Sequence, residues 1–186
     1  LDQVAQGVAL IGEAQADFVQ TAFGGNGMLD AEREQFLEAI RVGENARASF
    51  TGGVLRASPT TGLGVFGEAS VVVDGMRFEV NGADRQDLGR AWQAVFVGGT
   101  AQVAVSRSSV TGSAGGAFRV RQQGTLVLED VDVSGNGGFA HTDVSDQGRL
   151  AIQGGRFVGN AGAVVATGEA RVGLYGVELR DGGQHG

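Results

Sequence analysis

Apolar positions return along this chain in one fixed frame. An alternating pair at x and x+2 is followed by an apolar residue at x+7 and a small polar residue at x+10. Seven copies fit, with pairs Ala16/Phe18, Ala48/Phe50, Val71/Val73, Val103/Val105, Leu126/Leu128, Leu150/Ile152 and Val172/Leu174. Their x+7 partners are Phe23, Leu55, Phe78, Val110, Val133, Phe157 and Leu179, and the x+10 column reads Asn26, Ser58, Asn81, Ser113, Asn136, Asn160 and Gly182. A second alternating pair precedes each copy at x−8 and x−6, running from Val8/Leu10 to Val164/Ala166, and only Thr142 in it is polar.

Period-two alternation describes strands with one buried face, and Gly-rich bends divide each copy into three short ones. Three strands per copy, copy stacked on copy, is an all-β parallel β-helix, a solenoid of about seven coils. Successive copies begin 32, 23, 32, 23, 24 and 22 residues apart. The shorter spacings suit one three-sided coil, and the two of 32 carry insertions. At roughly 4.8 Å between stacked strands, residues 1–186 make one elongated domain on the order of 30 Å long. Right-handed winding is expected from the bias of parallel crossovers.

The insertions occupy 27–39 and 82–93. Each spans 14 positions, from Asn26 to Ile40 and from Asn81 to Val95, and they lie 55 residues apart. Both must therefore leave the same edge of the rod, about 10 Å apart. The first reads as a short helix, with Asp30 as the cap before Ala31-Glu32-Arg33-Glu34 and with Leu29, Phe36, Leu37 and Ile40 at apolar spacing. The second has less helical content and ends near Trp92. Two readings stay open: Phe36, Leu37 and Trp92 pack down on the coil, or the inserts form a paired projection that binds a partner through Asp30, Glu34, Phe36, Asp84, Asp87 and Trp92.

Composition narrows the function. Gly is 34 of 186 residues with a single Pro, an excess that belongs to the bends. There is no cysteine, so no disulfide contributes and the redox compartment stays open. The net charge of −7, with every basic residue an Arg, argues against nucleic acid. No apolar run approaches the ~20 residues of a membrane-spanning helix.

The segments Phe23-Gly24-Gly25-Asn26, Phe78-Glu79-Val80-Asn81 and Phe157-Val158-Gly159-Asn160, the last running into Ala161-Gly162-Ala163, resemble the FxxN and GGA repeats of polymorphic outer-membrane autotransporter passengers. The chain as a whole is similar to the right-handed parallel β-helix superfamily that includes pectate lyases, tailspikes and surface adhesins. The resemblance implies an exported, surface-associated rod.

Stacked turn positions explain the x+10 column as a structural ladder of Asn26, Ser58, Asn81, Ser113, Asn136 and Asn160, each amide satisfying groups of its own bend and of the next coil. Function then falls to outward positions. Asp132, Arg156 and Glu178 succeed one another at x+6, and Arg56 neighbours Glu79 at x+8, as surface ion pairs. The x+1 column (Val72, Ala104, Val127, Ala151, Gly173) is small and apolar although it faces outward. Such a strip marks contact with a partner or with an adjoining segment.

Catalysis would need converging carboxylates or calcium-binding acids beside a base. The nearest group is Asp130, Asp132, His141, Asp143 and Asp146. His141 and Asp143 alternate on one strand and could meet, while Asp130 and Asp132 lie toward another side. The expectation is therefore a non-catalytic structural or adhesive module of an exported bacterial surface protein, extracellular or at the cell surface. It needs no cofactor or metal and binds a protein or glycan through the inserts or an exposed sheet face. The alternative is a fragment of a polysaccharide-acting lyase or hydrolase, or of a phage-type tailspike. The chain starts inside its repeat at Leu1, so a longer rod, or end-to-end or lateral self-association, is also expected.

Overall fold

Each alternating segment is a strand, and each pairs in parallel with its counterpart one coil on. The computed structural model describes residues 7–30, 35–82, 84–85, 90–138 and 140–182. Three parallel sheets of seven strands run the length of the rod, each in the order of the chain. The first sheet runs from Val8–Leu10 to Ala163–Ala166, the second from Gln15–Val19 to Arg171–Tyr175, and the third from Ala22–Gly24 to Glu178–Arg180. Pairing follows the sequence frame: Val71 lies between Ala48 and Val103, Phe78 between Leu55 and Val110, and Val95 between Leu63 and Phe118. The fold is a parallel β-helix of seven three-stranded coils.

Like residues stack on like inside it. The Phe18 and Phe50 rings lie 4.9 Å apart and nearly parallel, with Phe23 edge-on to both. Phe78, Phe118, Leu126, Leu128 and Ile152 are fully buried in the coils beyond. Each such side chain is worth roughly 1.5–3 kcal/mol of transfer free energy, realised only when the next coil covers it.

The chain turns three times per coil, and every turn passes through a residue of positive φ at a fixed position. These residues form the columns x−4, x+4 and x+9, with φ between 46° and 71°. Nine of the twenty-one are not glycine, among them Gln122, Asp130 and Val80, so positive φ alone does not account for the glycine content. Close approach does at Gly53, where an added Cβ would sit 2.1 Å from Thr21 O.

The x+10 amides clamp one coil to the previous one. Asn81 accepts from Ser58 N–H (3.2 Å) and donates through Nδ2 to Leu55 O (2.7 Å). Asn136 does the same to Ser113 N–H (2.9 Å) and Val110 O (3.0 Å), and Asn160 to Asn136 N–H (3.1 Å) and Val133 O (2.9 Å). Carrying both a donor and an acceptor, the amide replaces the peptide group that the bend removes from the ladder. Ser113 is too short to do so. Among the described residues, its buried Oγ has no hydrogen-bond partner. Ser58 bonds locally to Thr61 O, and Asn26 lies half-buried against Gly7.

The described parts of both insertions form strands, residues 31–34 of the expected helix lie outside the described residues, and no helix occurs among the described residues. Met28–Asp30 pairs antiparallel with Gln35–Leu37, and Asp84–Arg85 with Arg90–Ala91. Met28 faces Leu37 and Asp84 faces Ala91, which is one register shifted by 55 residues. The physical reason is closure. Each insertion leaves one coil and re-enters the next, so its ends stay near one coil spacing, whereas ten helical residues would carry them about 15 Å apart. An out-and-back ribbon also satisfies its own backbone.

Replacing Asn136 by Ala strands Ser113 N–H in the interior and removes the amide donors to Val110 O and Asn160 Oδ1. A loss of about 2–5 kcal/mol in unfolding free energy, measured by urea denaturation, is the expected result.

Candidate functional site

The paired hairpins carry the residues singled out for partner binding. Asp30 and Phe36 lie on the strands of the first and Asp84 on the second, while Glu34 and Asp87 fall outside the described residues. Half-buried Trp92 stands where the second hairpin rejoins the coil. That base is fastened from coils four and five: Gln93 Nε2 donates to Ala91 O and Gly115 O, both at 3.1 Å, and Arg119 Nη1 to Ala91 O at 3.4 Å. The first hairpin's base is held from coil two by Thr60 Oγ1, which donates to Leu37 O.

His141 and Asp143 do not form a site. The one 24-residue spacing carries an extra residue, and it emerges as a bulge between Ala140 and Thr142, where the pairing to Ala163 and Val164 shifts. The bulge turns His141 inward, into a column otherwise filled by Gly7, Ala39, Gly62, Ala94, Ala117 and Ala163. His141 is only 5% exposed. Its ring lies 5.5 Å from that of Phe157, and its Nδ1 is 3.0 Å from Oγ1 of Thr142, the one polar residue of the inward pairs. Burial pushes its pKa down to about 4. Asp143 remains outside and pairs with Arg119 Nε at 3.0 Å. Burial lowers the Arg119 pKa, and Asp143 opposes that shift.

The other carboxylates of the group are occupied or dispersed. Asp132 pairs with Arg156 at 2.8 Å, and that hydrogen bond holds its carboxyl below the usual range. Asp146 accepts from Gln122 N–H at 3.0 Å, and Asp130 forms a corner of positive φ. Among the described residues, no three acidic, His or Cys side chains converge as a metal site. The Asp132–Arg156–Glu178 succession lies in register as expected. Arg56 and Glu79 are also adjacent, but Glu79 pairs instead with Arg77 on its own strand, at 3.0 Å.

Two outward surfaces remain. The x+1 strip is open on the second sheet, with Val72 51% and Val127 42% exposed. Tyr175, also exposed, places its ring against Gly173 at the strip's end. Beside it, along the edge between the first and second sheets, runs a groove that the sequence reading passed over. Its walls are the x−3 column (Thr100, Gln123, Gln147, Glu169) and the x−1 column (Gln102, Thr125, Arg149, Arg171), around about 510 Å³. A depression of about 390 Å³ adjoins it toward Tyr175, and another of about 390 Å³ toward Glu68. The first sheet separates the groove from the hairpins, so the two candidate surfaces do not converge. The missed signal was the run of amides and hydroxyls at x−3.

An aromatic cluster was missed as well. Phe66 and Phe96 stack at 5.2 Å on the outer face of the first sheet, and Arg41 caps Phe66 at 4.5 Å. Glu38 holds Arg41 at 3.3 Å, which ties the cluster to the first hairpin's return.

Compared with known proteins, the chain matches no family model, no curated protein and no solved structure.

Two outcomes follow from this geometry. A histidine held near 4 binds a proton in the unfolded chain, where its pKa is about 6.5, before it does so in the fold. His141 therefore costs nothing above about pH 6.5, and up to about 3 kcal/mol of stability is lost as the pH falls to about 4. Urea titrations across that range should show the slope in the wild type and a flatter one in His141→Gln. Separately, excising 28–36 leaves Asn26 five positions from Ile40, the Ser58-to-Leu63 distance of an uninterrupted coil. Circular dichroism should then report the same β-sheet content and a cooperative thermal transition.

Proposed function

We propose that this chain is a non-catalytic adhesive module, a stiff β-helix that presents a ligand-binding groove along its side. The observation that supports this reading is the continuous groove between Thr100 and Arg171, walled by amide, hydroxyl and guanidinium groups on the stacked strands of the second sheet and on the stacked turns that precede them. Amides and hydroxyls donate and accept together, as the hydroxyls of a sugar chain require. His141 faces inward, away from Asp143, which leaves the acid without the base that a lyase or hydrolase reading would give it. The FxxN and GGA segments are the basis for placing the module on a bacterial surface protein of the autotransporter-passenger type, within the wider pectate-lyase-like β-helix group. Among the described residues, no helix is long and apolar enough to cross a membrane. The hairpins serve as secondary contacts on the other side of the first sheet.

The test is binding to an immobilised glycan panel, with products read by mass spectrometry. Gln123→Ala/Gln147→Ala should weaken binding about tenfold, from two lost hydrogen bonds. Excision of 28–36 should leave it within about twofold. Bound glycans should be recovered at full length. Depolymerisation that disappears with His141→Ala would overturn the non-catalytic assignment.

A further inference from the structure

In the three sheets, charged side chains that meet in register have opposite signs. The pairs are Arg56 with Glu79, Arg119 with Asp143, Asp132 with Arg156, and Arg156 with Glu178. Arg149 over Arg171 is the exception. Like charges directly opposite one another oppose pairing. Both arginines are exposed, and among the described residues no carboxylate forms an ion pair with either. In a chain of net charge −7, a stacked pair of cations without an ion-pair partner is a local departure from the general rule. It sits on the wall of the groove.

We propose that Arg149 and Arg171 form an anion clamp, and that the groove's occupant is an acidic glycan bearing carboxylate or sulfate groups. This rests on the groove being the ligand surface. Two arginines on strands roughly 4.8 Å apart can hold one anion between their guanidinium groups or two successive ones, with the bidentate geometry that carboxylate and sulfate oxygens accept. Thr125 and Gln123 stand next along the groove toward coil four, and Tyr175 offers a ring face beyond the arginines. Glu169, held at 3.0 Å by Gln147 on the opposite wall, keeps the anion on the arginine side and accepts from hydroxyls. An extended peptide is disfavoured as occupant. The strand Arg149–Gln153 already pairs with Thr125–Glu129 and Arg171–Tyr175, so no backbone edge is open in the groove for strand addition.

Calorimetric titration of the full chain with four probes tests this: a hyaluronan oligosaccharide, a sulfated chondroitin oligosaccharide, a neutral dextran oligosaccharide and poly-glutamate. One or both acidic glycans should bind about tenfold or more tightly than dextran, weakening as salt rises, and which of the two is tighter identifies carboxylate or sulfate as the anion. Arg149→Gln/Arg171→Gln should bring acidic-glycan binding down to the dextran level. Because it relieves a like-charge contact, the double variant should fold with an unchanged or higher midpoint of thermal unfolding. Equal binding of dextran and acidic glycans, or no effect of the double variant, overturns the clamp and leaves the groove. Poly-glutamate binding as tightly as the glycans overturns the glycan assignment. Failure of every glycan to bind overturns the clamp and the proposed function together.

Discussion

A strand of the three long sheets finds its hydrogen-bond partners one coil away and never in its own coil. That constraint sets everything else. The ladder continues even through the corners: Gln20 N–H donates to Thr51 O, Gly52 to Asp74, Gly75 to Ser106, Arg107 to Glu129, Asp130 to Gln153 and Gly154 to Tyr175. A residue of positive φ reverses the chain direction without breaking that sequence, which is why the same three columns carry positive φ in every coil. The Asn clamps extend the rule to side chains. No coil can satisfy its backbone or cover its core alone, so stability is a property of neighbours.

The same constraint decides where the repeat can be broken. Added residues are tolerated where they leave the stacked strands in register, and both hairpins leave from the one corner between the third and first sheets. There the chain goes out and returns at one coil spacing, and strands on either side keep their partners. A single added residue cannot form a ribbon. In the sixth coil it becomes a bulge, and the displaced side chain, His141, is pressed into a column of Gly and Ala. One lone insertion thus produces both the buried histidine and the need for Thr142, whose hydroxyl meets it.

The repeat was legible because parallel stacking copies each column. The frame that placed Val71 with Val103 and Phe78 with Val110 is the register of the sheets. The first insertion's helical expectation drew on Leu29, Phe36 and Leu37, whose spacing suits a two-stranded ribbon as well. End-to-end closure, a tertiary constraint, selected the ribbon over local propensity. Period-two counting brings His141 to the face of Asp143 only where no bulge intervenes, and the spacing of 24 against neighbours of 23 and 22 is the trace of that bulge. The groove escaped notice because its walls are outward columns on either side of a corner. Neither column looks unusual until the bend brings x−3 and x−1 to face each other.

A solenoid separates scaffold from surface more cleanly than most folds. Inward columns are fixed by stacking, so Phe, Val, Leu and Asn there carry information about neighbours and none about ligands. Outward columns are free to vary, and three of them here, x−7, x+6 and x+8, serve the stack through opposite charges in register. Among the outward positions that do not are the Phe66–Phe96 pair on the first sheet, the apolar strip through Val72 and Val127, the polar wall through Gln123 and Gln147, and Arg149 stacked on Arg171. Strip, wall and cations lie side by side on the second sheet and the edge it shares with the first. Stacking requires none of these three features, and on that side of the rod the outward residues owe least to the scaffold.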